Sequence, residues 1–190
     1  IGNYNNKFQY ALFKKQFKQI NPDIVLLHYF ISDAEERPIE KNNFIFRHSY
    51  LAAFLYDRIN ILSFMFKKES RSLYEYYSSI YRDSSPEWRN TTQRVKKIND
   101  LLTSKNKIFL IMIIPDFHNL TKGSKFELIY NKITKNFEKE GIRVINTFPR
   151  FQERFSNNPQ ELWIQKDDPH PNSLGHKIMA DQLFEFYKNN

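Results

Sequence analysis

Seven consecutive apolar residues, IFLIMII over 108–114, closed by Pro115, limit most what this chain can become. The run is too short for the roughly 20 residues of a membrane span and too uniformly apolar for a strand with one wet face, so it predicts a strand covered on both sides. DIVLLHYF, over 23–30, has the same character. Such strands belong to parallel sheets, whose strands are joined through helices.

The intervening segments carry helical spacing. Tyr10, Phe13, Phe17 and Ile20 form one stripe over 6–20, stopped by Asn21 and Pro22. Ser84, Ser85 and Pro86 signal a helix start, with Val95, Ile98, Leu101 and Leu102 on its buried side. Phe126, Ile129, Ile133 and Phe137 stripe a further helix over 124–140, with Gly141 as its stop. Leu174, Ile178, Met179, Leu183, Phe186 and Tyr187 form the apolar face of a last helix, capped by Asn172. A short strand is expected at 142–145, followed by loop up to Asn172. Dense helix-like patterns at 44–66 and 73–81 predict a helical insertion at about 44–82. The expectation is an α/β fold, one domain over 1–190, a parallel sheet with helices on both faces. In such sheets sites lie beyond the carboxyl ends of the strands, which directs attention to the loops after Phe30, after Ile114 and before the last helix.

Composition excludes more than it assigns. A formal charge of +8 on 190 residues attracts anions of any kind, but Lys and Arg are spread over nearly every segment, so no nucleic-acid arm is expected. The absence of cysteine rules out disulfides, thiol catalysis and Cys-type zinc sites, and leaves the compartment open. No apolar run is long enough to span a bilayer.

The chemistry concentrates in Asp167-Asp168-Pro169-His170-Pro171-Asn172-Ser173-Leu174-Gly175-His176. A histidine serves a hydroxyl nucleophile best as general base when a carboxylate fixes its tautomer and stabilises the imidazolium. Two prolines stiffen the turn around His170. An Asp-x-x-His spacing selects Asp167, the favoured partner, and an Asp-x-His spacing selects Asp168 as the alternative. His118, in Pro115-Asp116-Phe117-His118 after the strongest strand, is a further candidate to line a pocket, whereas His28 and His48 read as structural. His170 and His176 are not at a typical zinc spacing, so neither metal nor cofactor is expected. Trp163 reads as core packing, with an apolar or sugar-stacking wall as the other reading.

The string from Asp167 to His176, running into an apolar helix, resembles the final motif block of the SGNH (GDSL-like) hydrolases. That resemblance implies a three-layer, flavodoxin-like α/β fold and a Ser-His-Asp esterase in which His170 is the base and Asp167 or Asp168 orients it. The block around Ser32-Asp33 resembles the family's Asn-Asp block, with Ser32 in the oxyanion-binding Asn position, and Gly2 matches the family's glycine block in position. The family's first block, a strand and Gly-Asp-Ser turn carrying the nucleophile, has no counterpart after Ile1. Ser49, Ser63, Ser70, Ser72 and Ser173 do not stand in a comparable setting. The resemblance therefore implies a chain lacking its first strands: a fragment, a chain completed by a second polypeptide, or a pseudo-enzyme. As an enzyme it would act on O-acyl groups, with acetyl on a glycan as the leading substrate. An O-acyltransferase would use the same residues, and a non-catalytic module binding a glycan or protein is the alternative class.

Overall fold

The computed structural model describes residues 5–36, 51 and 72–189. Gly2, His48, Ser49, Ser63, Ser70 and most of the expected insertion lie outside them.

Helix α1, Asn6–Ile20, opens at Asn5, whose side chain accepts from the Phe8 N–H, and closes on Asn21 in the left-handed conformation before Pro22. Phe17 is buried and Tyr10 and Phe13 pack against the core, but Ile20, at the last position of the helix, is 62% exposed. Strand β1, Ile24–Phe30, runs into a short 3-10 turn at Ile31–Ala34. Helix α2, Leu73–Ile80, is followed by α3, Pro86–Thr103, where Ser85 caps the Trp88 N–H and Pro86 occupies the first turn. Strand β2, Ile108–Ile114, leads through a 3-10 turn at Phe117–Asn119 to α4, Phe126–Lys139. All four predicted apolar residues of α4 are buried, and Gly141, at φ +72°, turns the chain into β3, Arg143–Asn146.

β1, β2 and β3 form a three-stranded parallel sheet in that order, with Ile24 opposite Ile108, Phe30 opposite Ile114 and Leu110 opposite Arg143. Helices flank it. β2 is central and buried from Phe109 to Ile113, as its composition demands. β1 departs from the expectation of full coverage. It lies at an edge of the described sheet, and of its residues only Tyr29 is buried. The Tyr29 and Tyr81 hydroxyls meet at 2.9 Å, and Tyr81 donates to the Ile31 carbonyl at 2.8 Å, so the two buried phenols satisfy each other and the end of β1.

Residues 147–171, expected as loop, are mostly ordered into elements. Helix α5, Phe148–Phe155, exists because Phe148, Phe151 and Phe155 fall on one face and are all buried. A 3-10 turn at Pro159–Leu162 leads to an antiparallel hairpin of β4, Trp163–Gln165, and β5, Asp168–Pro171. Helix α6, Ser173–Lys188, completes the described chain. Ile178 and Met179 are buried and Leu183 and Phe186 half-buried, whereas Leu174 and Tyr187, expected on the same face, are exposed. Among the described residues no helix is long and apolar enough to cross a membrane.

A candidate acid-base cleft at the carboxyl ends of the strands

The chain immediately after β5 is fixed by Asn172. Its Oδ1 accepts the N–H groups of Leu174 and Gly175 at 3.0 and 3.1 Å and so caps α6. Its Nδ2 donates to the carbonyls of Glu161 (2.7 Å) and Trp163 (3.1 Å), tying the cap to the start of the hairpin. Gly175 completes the junction. A Cβ there would lie 3.0 Å from the Pro171 Cβ, so a side chain would press on the end of β5, while the Phe117 ring at 3.6 Å would be in ordinary contact. Replacing Asn172 by Ala is expected to lower the unfolding free energy by about 2–3 kcal/mol, combining a lost cap with two lost side-chain bonds. Asn172→Asp keeps the acceptor and loses the donor, and is expected to lose about half as much; urea denaturation of the two variants checks both values.

β5 carries Asp168 and His170. The Asp168 Oδ1 accepts the His170 backbone N–H at 3.0 Å and also contacts the His170 Nδ1. One carboxylate oxygen thus fixes both the main chain and the ring of the residue two positions on. The backbone N–H of His170, then its ring, hold the Asp168 carboxyl below the ordinary carboxylate range. Because an ionised carboxylate only accepts, Nδ1 carries the ring proton and Nε2 offers its lone pair outward. The His170 side chain is 77% exposed, which leaves that nitrogen accessible. Asp167, in the turn between β4 and β5, is exposed, and the ring pairs with Asp168.

His170 lines a cleft of about 450 Å³ together with Phe30 from the end of β1, Ile114 from the end of β2, and the loop segments Pro115 to His118 and Pro169 to Pro171. That volume suits a small molecule or part of a larger one. Its position beyond the carboxyl ends of β1 and β2 is the one a parallel sheet favours. The cleft walls are mostly apolar, and the polar side chains among its lining residues are Asp116, His118 and His170.

Other sequence candidates fall elsewhere. Ser32 is half-buried in the 3-10 turn after β1 and is not among the cleft-lining residues. Its neighbour Asp33 is buried, and its Oδ2 accepts the Phe30 N–H (2.9 Å) and the Gln9 side chain (3.1 Å), fastening α1 to the end of β1. Ser72 caps α2 and Ser173 begins α6. His28 is exposed on β1. Trp163 is half-buried and its ring stands edge-on to His118 at 4.9 Å between centroids, which puts it against the cleft as well as the core. Among the described residues no group of three or more His, Asp or Glu could hold a metal ion.

Sequence reasoning missed the support under the cleft. Phe117 is buried and packs on Phe151 of α5 with ring centroids 4.9 Å apart, so a helix not foreseen in the sequence holds the loop after β2. The spacing of Phe148, Phe151 and Phe155 was the available signal. No family model, no curated protein and no solved structure matches this chain.

Proposed function

We propose that this chain is an SGNH-type hydrolase domain acting on O-acyl esters, acetyl on a glycan first among them, with His170 as general base and Asp168 as its orienting carboxylate. The observation that carries the reading is the Asp168–His170 pair itself, a tautomer-fixed imidazole opening on an apolar cleft at the carboxyl edge of a parallel sheet. In the proposed reaction a serine hydroxyl loses its proton to the His170 Nε2 as its oxygen attacks the ester carbonyl, and water or an acceptor hydroxyl later releases the acyl group. The mixed α/β sheet is read as part of the three-layer SGNH architecture. Gly2 and Ser32 are kept as the oxyanion-binding positions that the resemblance implies.

One observation favours a second reading. No serine lines the cleft among the described residues, which is what a non-catalytic module binding a glycan or protein would show. A fluorophosphonate probe separates the two, because it phosphonylates only a serine activated by a neighbouring base. The expected result is a single adduct, located by mass spectrometry of the full-length protein and lost in His170→Ala. An adduct on a second polypeptide that copurifies with the chain would mean the nucleophile comes from a partner. Labelling nowhere would discard the hydrolase reading in favour of the binding module.

A further inference from the structure

Two Asp-x-His turns open on the cleft. Asp116 repeats the arrangement at Asp168: its Oδ1 accepts the His118 backbone N–H at 3.0 Å and meets the His118 Nδ1 at 3.0 Å. The repeat lies in a different loop, after β2, and is the more firmly held of the two. Asp116 Oδ2 accepts from the Asn119 amide at 2.8 Å, the Asp116 backbone N–H donates to the buried Tyr130 hydroxyl at 2.9 Å, and the His118 ring rests against Trp163. With both carboxylate oxygens of Asp116 turned to donors, the ring proton of neutral His118 sits on Nδ1 and leaves Nε2 as the acceptor. The side chain is 53% exposed and lines the same cleft as His170. A lone surface histidine needs no such support. Two imidazoles oriented by the same device, together with the Asp116 carboxylate, are the polar side chains set among the apolar walls of that space.

We propose that Asp116 and His118 form a second acid-base dyad, which serves the alcohol oxygen of the ester while Asp168 and His170 serve the enzyme's nucleophile. This rests on the acyl-transfer reading above. The division of labour closes as a cycle. In acylation neutral His170 takes the proton of the attacking hydroxyl as that oxygen bonds to the carbonyl carbon. The tetrahedral adduct then breaks its bond to the ester's alcohol, whose oxygen leaves with the proton of the His118 imidazolium. The site now holds protonated His170 and neutral His118. In deacylation His118 removes a proton from water or an acceptor hydroxyl as its oxygen bonds to the acyl carbon, and the enzyme's oxygen departs with the proton from His170. Both dyads return to their starting charge.

Leaving-group dependence tests this assignment. Nitrophenolate departs without a proton at neutral pH, whereas ethoxide does not. Because kcat/KM reports steps through acylation, His118→Gln is expected to lower it for ethyl acetate by at least about a hundredfold and for p-nitrophenyl acetate by less than about tenfold. His170→Gln should depress both esters. Equal losses on both esters in His118→Gln, or no loss on either, would overturn the second dyad while leaving the hydrolase reading intact. Failure of His170→Gln to affect either ester, or inactivity on both of the full-length wild-type protein together with any polypeptide that copurifies with it, would remove the acyl-transfer reading and this assignment with it.

Discussion

If the proposed acyl transfer holds, His170→Ala is expected to lower kcat/KM for p-nitrophenyl acetate by at least about a thousandfold, and Asp168→Asn by roughly a hundredfold to ten-thousandfold. Asp167→Asn is expected to change it by less than about threefold. The three values belong together because the structure separates the two carboxylates: Asp168 touches the ring and its backbone N–H, while Asp167 is exposed in the hairpin turn. An Asn at 168 can still accept the backbone N–H, but it can also turn its NH₂ toward Nδ1, which would place the ring proton on Nε2 and remove the base. Steady-state assays of the three variants in the full-length protein check the order. A profile in which Asp167→Asn carried the large effect would reassign the dyad. The acid side follows from the sign of the shift. Asp168 is held below its ordinary range, so its contribution is intact above the unfolded carboxyl's pKa and is lost only as pH falls through the lowered folded value.

Phe137→Ala is expected to cost about 3–5 kcal/mol of stability, read as a shift of the urea midpoint at unchanged slope. Phe137 is fully buried on α4 and packs edge-to-face with Tyr29 of β1 at 5.6 Å and tilted against Trp88 of α3 at 5.5 Å. It therefore joins an edge strand to two helices. The loss combines the transfer of a large ring to water with the cavity left beneath the sheet, and a cluster of rigid aromatics closes such a space poorly. A typical domain has only about 5–15 kcal/mol in total, so the variant is expected to lie near the edge of folding. A loss under about 1 kcal/mol would mean that this aromatic cluster does not tie the sheet to α4.

The strands β1 and β2 were legible because a buried strand must be apolar along its whole length, and IFLIMII has no other use for seven such residues. The helices were legible in their stripes, and their ends in Ser85-Pro86, Asn172 and Gly141. The hairpin was not. Asp168-Pro169-His170-Pro171 offers two residues without an N–H, and its strand character comes from pairing with β4 rather than from any preference of its own. β1's partial exposure was likewise invisible, since a run of apolar residues does not say whether it will be central or at an edge. Of the site, His170 and its carboxylate were legible as a choice between two spacings, and only the fold made the choice of Asp168. The second dyad stood in the sequence as Asp116-Phe117-His118 with the same spacing. Only the meeting of the loop after β2 with β5 at one cleft gives that repetition meaning.

Each of these turns settles the protonation geometry of its imidazole within three consecutive residues. Long-range packing contributes something different, namely the encounter of the two rings at a common opening. Partial loosening of the molecule would therefore leave two oriented histidines facing separate patches of solvent, an estrangement that a probe of either ring alone would fail to register.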